Sequence, residues 1–86
     1  MNWFIYIIEC NDQSFYTGIT NSLERRIHEH NFSKSIGSRY VRTRRPAKLV
    51  YSQITNSRSE ALKREAEIKK LSRLRKHQLI ESVAQW

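Results

Sequence analysis

Six consecutive residues near the start of the chain, Trp3-Phe4-Ile5-Tyr6-Ile7-Ile8, are all aromatic or β-branched. A run of this kind with no polar break reads as a strand buried on both faces, and so as a central one. Asn11-Asp12-Gln13-Ser14 follows as a turn cluster, and Phe15-Tyr16-Thr17-Gly18-Ile19 reads as the returning strand. A tight hairpin as the first connection makes these strands antiparallel, because parallel neighbours need a crossover of a dozen residues or more. A doubly wound parallel sheet is therefore excluded.

The rest of the pattern is read against that hairpin. Asn21 and Glu24 stand at capping-box spacing ahead of a helix from about Leu23 to Asn31. Ser33 to Arg45 is polar and basic, with a short helical turn expected around Ser38–Arg42. Pro46 punctuates it, and Ala47 to Ile54 reads as a third strand. Ser57-Arg58-Ser59-Glu60 is a capping box opening a helix to about Leu71. Ser72 caps a last helix, Arg73 to about Ala84, with Leu79, Ile80 and Val83 as its apolar stripe. The order ββαβαα predicts an α+β fold, a three-stranded antiparallel sheet flanked by helices. With 86 residues and no repeat, low-complexity tract or linker, the chain is expected to form one domain over residues 1–86.

Composition narrows the functional classes. Sixteen Lys and Arg against eight Asp and Glu leave a net charge of +8, which suits a polyanionic partner such as nucleic acid. A single cysteine, Cys10, forms no internal disulfide and reads as a small core hydrophobe. Paired Cys or His at zinc-ligand spacing are absent. The apolar run from Trp3 to Ile8 is too short to span a bilayer or to serve as a secretory core. A cytoplasmic protein without a membrane partner is expected.

Candidate chemistry is found by asking which polar residues share a face. A two-residue loop at Asp12-Gln13 would pair Glu9 with Tyr16 and leave Tyr6 on the opposite face. A three-residue loop, Asp12-Gln13-Ser14, would pair Cys10 with Tyr16 and Ile8 with Gly18, putting both tyrosines on one face, with Gln13 as the left-handed residue. Gly18 is consistent with a bulge, or with close approach of a substrate or helix. On the first helix Arg26 and His30 lie one turn apart beside Leu23 and Ile27, where a guanidinium either meets an anion such as phosphate or snorkels to solvent with His30 on the helix face. Glu65 falls in an arc shared with Ala61, Leu62, Ala66 and Ile68. A carboxylate there calls for a cation: Mg²⁺, Lys69 four residues on, or an arginine at a strand end.

The basic residues form two clusters. Arg39, Arg42, Arg44, Arg45 and Lys48 have Tyr40 among them and no acid. Lys63, Arg64, Lys69, Lys70, Arg73, Arg75 and Lys76 are offset only by Glu65 and Glu67. Surfaces of this kind track phosphates; Arg39, Arg42, Arg44, Arg45, Lys69 and Lys70 are the expected nucleic-acid contacts. No helix-turn-helix or zinc-finger pattern supports reading of base sequence.

Together, Phe4-Ile5-Tyr6, Tyr16-Thr17-Gly18, Arg26, His30 and Glu65 resemble the GIY-YIG nuclease domain family. Tyr16–Thr20, Leu23–Arg26, Arg44–Pro46 and Glu60–Glu65 are similar to its small single-domain bacterial branch, so the resemblance runs essentially end to end. It implies an endonuclease acting on nucleic acid, with DNA favoured, and dependent on Mg²⁺ or Mn²⁺. It also implies catalytic roles for Tyr6, Tyr16, Arg26, His30 and Glu65, with Glu65 the metal ligand. A tyrosine would take a proton from water while Arg26 stabilises the phosphate. An ordinary phenol is only about 0.1% ionised at pH 7, so that tyrosine needs a nearby cation; Tyr16 is preferred. Ile19 stands where several catalytic members carry a lysine, and the asparagine of some repair members has no counterpart near Ser72–Lys76. These departures support an alternative, a nucleic-acid-binding module of weak turnover. A protein-interaction adaptor would use the charge least well.

Overall fold

The computed structural model describes residues 2–83, with Val83 described by its backbone alone. The expected helix end at Ala84 and the place of Val83 in its stripe lie outside the described residues. The elements are β1 (Trp3–Glu9), β2 (Phe15–Thr20), α1 (Leu23–Phe32), α2 (Arg39–Arg42), β3 (Lys48–Thr55), α3 (Arg58–Lys69) and α4 (Arg73–Val83). The sheet order is β2-β1-β3, with both pairings antiparallel. The predicted α+β architecture stands, and the short turn at Ser38–Arg42 is α2.

The unbroken apolar run is the central strand, with Ile5, Tyr6, Ile7 and Ile8 all buried. Strand alternation splits its side chains between two cores. Ile5 and Ile7 meet Tyr51 and, from α3, Ala61 and Ile68, with Leu79 and Ile80 of α4 packed alongside. On the other face Tyr6, Ile8 and Cys10 meet Val41 and Ala47, with Leu23 and Ile27 of α1 and Tyr16 of β2 at the margin. Cys10 is thus the small core hydrophobe expected of it. Burying isoleucines on both faces stabilises the fold by about 1.5–3 kcal/mol per side chain.

The hairpin register differs from both sequence expectations. Ile8 pairs with Tyr16 and Tyr6 with Gly18, two residues away from the three-residue-loop alternative. The loop is Asn11-Asp12-Gln13, closed by Gln13 N–H to the Cys10 carbonyl at 2.9 Å and Cys10 N–H to the Ser14 carbonyl at 2.8 Å. Asp12 decides this placement: its Oδ1 accepts from the Ser14 amide at 3.0 Å and from the Ser14 hydroxyl at 2.5 Å. Gln13 adopts φ 68°, the left-handed residue that such a loop needs. A shift of two residues preserves the face, so both tyrosines still project to one side.

Capping also departs in detail. Ser22, not Asn21, precedes α1 and makes no side-chain cap. Asn21 Oδ1 accepts from Arg25 instead, at 3.0 Å, while Thr20 Oγ1 accepts the Ser22 amide. At α3 the box is half formed: Ser57 Oγ accepts from the Glu60 amide at 3.2 Å, but Glu60 Oε2 reaches the Asn56 amide. The α3 helix ends at Lys69, two residues before the expected Leu71.

Candidate active site

The site is built around a buried pair. Tyr6 of β1 and His30 of α1 are both fully enclosed, and Tyr6 Oη lies 2.8 Å from His30 Nε2. The Ser38 amide donates to His30 Nδ1 at 3.4 Å, which leaves Nε2 as the protonated nitrogen and makes the Tyr6 oxygen its acceptor. Burial, reinforced by Arg26 and Arg45 against the opposing Glu29, pulls the His30 imidazole down to about 4. Burial likewise pushes the Tyr6 phenol up to about 12, against the pull of Arg26 and with help from Tyr16 and Glu65. Both partners are neutral near pH 7.

The two glycines of the chain flank this pair. Gly18 lies directly across from Tyr6, and a Cβ there would sit 2.5 Å from Tyr6 Oη and 2.7 Å from Cζ. The expectation of a bulge, or of a substrate or helix at Gly18, is therefore corrected: a neighbouring side chain fills the space, and the β1–β2 register is unbroken. Gly37, at φ 100°, passes over the other side of His30, where a Cβ would stand 3.4 Å from Nδ1. That passage lets the Ser38 amide reach the ring.

Tyr16 sits outside the pair, its ring 5.4 Å from that of His30 and half-buried. Tyr40 of α2 stacks on it at 6.4 Å, and the Arg44 guanidinium covers Tyr40 at 3.8 Å. Phe15, Tyr16, Thr17, Tyr40, Lys69 and Lys76 line a cleft of about 310 Å³ with no acid among them. A second cleft, at the other end of β2, is bordered by Ile19, Thr20, Arg25 and Arg26 and includes one acid, Glu29. Tyr6 and Gly18 thus lie between two openings along one edge strand.

Arg26 is partly exposed, and its guanidinium pairs with Glu29 at 3.2 Å while acting on both Tyr6 and His30. Glu65 of α3 approaches from the far helix layer, close enough for its charge to act on Tyr6. Its side chain is 18% exposed and pairs with Lys69 at 3.5 Å. Tyr6, Tyr16, Arg26 and His30 therefore converge, and Glu65 joins them through its charge on Tyr6 and through Lys69, its ion-pair partner, which lines the cleft beside Tyr16. Among the described residues there is no group of three or more His, Cys, Asp or Glu suited to hold a metal. Glu65 alone still fits a magnesium-type ion, which binds through one or two carboxylates plus waters and substrate oxygens.

The basic residues divide by what their guanidinium groups already hold. Arg44 bonds Asp12 Oδ2, the Tyr40 carbonyl and Thr43 Oγ1, each at 3.0 Å. Arg42 donates to the Lys34 carbonyl. Arg45 turns to the end of α1, donating to the carbonyls of His30 at 2.6 Å, Glu29 at 3.4 Å and Ser33. Arg39, Lys69 and Lys70 are exposed. The inward turn of Arg45 and the bracing of Tyr40 were missed from the sequence, as was the place of Lys76 beside Tyr16. Gly37, the other glycine besides Gly18, was the available signal for the crowding around His30.

The GIY-YIG catalytic domain family matches residues 2–78. A UPF0213 protein of Desulfotalea psychrophila is 52% identical over 80 residues, covering 93% of this chain and 72% of that protein. One from Staphylococcus haemolyticus is 49% identical, covering 91% and 93%. The solution NMR structure of the UPF0213 protein BH0048 from Bacillus halodurans superposes with a TM-score of 0.60 at 43% identity, covering 94% of this chain and 84% of that one. That of EF2693 from E. faecalis gives 0.66 at 34% identity, covering 100% and 90%. GIY-YIG domains are a nuclease family acting on nucleic acid, generally with a divalent metal, and with the family match over residues 2–78 and relatives of about 50% identity, this chain belongs to it.

Proposed function

We propose that the protein is a metal-dependent endonuclease hydrolysing phosphodiester bonds, with DNA as the favoured substrate. The observation that carries this is the buried Tyr6–His30 pair with Tyr16 against His30 and Arg26 acting on Tyr6, beside a cationic cleft that Tyr16 shares with Lys69, the ion-pair partner of Glu65. Charge supports the substrate class: the net +8 and the acid-free lining suit a polyanion. The strand would run along β2 between the two clefts, past Tyr16, with Arg39, Lys69, Lys70 and Lys76 beside its phosphates.

Each residue then has a task set by its surroundings. Tyr6 is enclosed and stays protonated, so it does not meet water; its bond to His30 fixes the floor of the site. Tyr16, open to the cleft beside Lys69 and Lys76, would act as the phenolate that takes a proton from the attacking water, with the two ammonium groups as the nearby cations it needs. The new oxygen–phosphorus bond forms as the bond to the leaving oxygen breaks, and Arg26 offers its guanidinium to the charge that builds on the phosphate. Glu65 would hold the divalent ion, which when bound supplies Lewis-acid stabilisation to the phosphate and the leaving oxygen.

The test is cleavage of single-stranded, duplex and branched DNA with Mg²⁺ and with EDTA, comparing wild type with Glu65→Gln. Wild type is expected to cut only with Mg²⁺, and Glu65→Gln to lose activity by orders of magnitude while still binding DNA. Unchanged cleavage by a folded Glu65→Gln protein would remove the metal assignment. The Glu65–Lys69 ion pair favours a second reading, a binding module in which Lys69 occupies the carboxylate. Wild type inactive on all three substrates, yet binding them, would select it.

A further inference from the structure

Arg45 stands fifteen residues beyond His30, yet its guanidinium closes the last turn of the helix that carries His30. Its Nε donates to the His30 carbonyl at 2.6 Å, and its Nη2 to the Glu29 carbonyl at 3.4 Å and to the Ser33 carbonyl. Terminal carbonyls of a helix lack intrahelical donors, and a cation there also meets the negative end of the helix dipole. A second clamp lies beside it. Asn31 Nδ2 donates to the Ala47 carbonyl at 2.9 Å, and the Ala47 amide donates to Asn31 Oδ1 at 2.8 Å. The segment from Arg45 to Ala47 thus grips residues 29–33 on both sides of His30.

His30 has little freedom to spare. Its ring must present Nε2 to Tyr6 at 2.8 Å while Nδ1 receives the Ser38 amide. We propose that Arg45 is a positioning residue of the nuclease site: by tying the Glu29, His30 and Ser33 carbonyls it holds the imidazole against Tyr6, and through Tyr6 it sets the floor beneath Tyr16. This assignment rests on the proposed nuclease reading only for its catalytic consequence; the hold on His30 is independent of it. It also takes Arg45 out of the set of phosphate contacts. The charged and titratable groups facing the ring are Tyr6 of β1, Tyr16 of β2, Arg26 and Glu29 of α1, and Arg45 itself.

The experiment combines nitrogen-15 NMR of the His30 imidazole with steady-state cleavage, in wild type, Arg45→Ala and Arg45→Lys. Wild type is expected to show a single neutral Nε2–H tautomer with a slowly exchanging proton. Arg45→Ala should lose that protected proton and raise the His30 titration midpoint by at least one pH unit. It should lower kcat tenfold or more, with KM and the salt dependence of DNA binding unchanged. Arg45→Lys, which restores a cation and fewer bonds, should recover part of both signals; if Arg45→Ala does not fold, the Lys variant alone decides by the same readouts. His30 resonances unchanged in the folded variants would overturn the proposal. So would a rise in KM and a shallower salt slope at constant kcat, the behaviour of a phosphate contact. A wild type without cleavage would sink the nuclease reading and leave the imidazole signals to decide the positioning role.

Discussion

Gly18 and Tyr6 show how one missing side chain sets the floor of the candidate site. The phenol ring occupies the space a Cβ would need, with 2.5 Å to Oη, so Gly18→Ala must displace Tyr6 from His30. The expected cost is about 1–3 kcal/mol in urea unfolding, as for overpacking generally, together with loss of the protected His30 proton. A Gly18→Ala protein as stable as wild type would contradict the close approach. The same pair predicts a pH dependence. The His30 midpoint falls from 6.5 to about 4 on folding, so the unfolded chain binds more protons between those values. The stability that His30 contributes is therefore complete above about pH 6.5 and is lost as pH falls through 4, by roughly 3 kcal/mol in all. At the alkaline end the Tyr6 phenol rises from 10.0 to about 12, so stability should fall again as pH climbs through that window. Urea midpoints measured from pH 3.5 to 8 check the acid limb, and His30→Gln should flatten it.

At the scale of elements, the β1–β2 hairpin carries the two tyrosines, and its loop decides where they stand. Asp12 braces the loop by accepting from Ser14 and from Arg44 Nε, while the Asn11 amide donates to the Arg44 carbonyl at 2.8 Å. Gln13 holds a left-handed backbone at φ 68° that glycine adopts without steric cost. Gln13→Gly should therefore be neutral or stabilising by up to ~1 kcal/mol, since relief of strain competes with a more flexible unfolded chain. Destabilisation by more than 1 kcal/mol in urea would mean that the Gln13 side chain supports the turn. Loop length left open whether the tyrosines share a face, but strand composition was legible in the sequence. The register was not, because the choice among four turn residues rests on a side-chain bond from Asp12 that spacing does not reveal.

Over the whole molecule, charge is spread unevenly between anchored and open groups. Arg42, Arg44 and Arg45 are tied to backbone carbonyls, and Arg44 also to Asp12, whereas Arg39 and Lys70 are exposed. DNA affinity should fall steeply with salt. Arg39→Ala with Lys70→Ala should lower the slope of log K against log salt by about 2, near one for each phosphate no longer neutralised. Filter-binding or fluorescence titrations across a several-fold range of salt measure it. An unchanged slope would place the phosphate track elsewhere on the surface.

The local pattern of residues was enough to determine the elements and their order. A wholly apolar run, a turn cluster and helix-period stripes each act over a few neighbours, and burial on both faces made β1 the centre of the sheet. The motif residues Tyr6, Tyr16, Arg26, His30 and Glu65 were likewise legible, because their spacing along the chain survives folding. What only the tertiary structure decided is which of them face water. Tyr6 and His30 became an enclosed neutral pair because Gly18, Gly37 and the Ser38 amide close around them from separate parts of the chain. Tyr16 became the open phenol for the same reason. Arg45, one of a run of arginines in the sequence, was turned inward by carbonyls at the end of a helix fifteen residues away. Cationic side chains look alike along a chain; the unpaired acceptors that claim one and leave its neighbour to solvent exist only once the helices have packed.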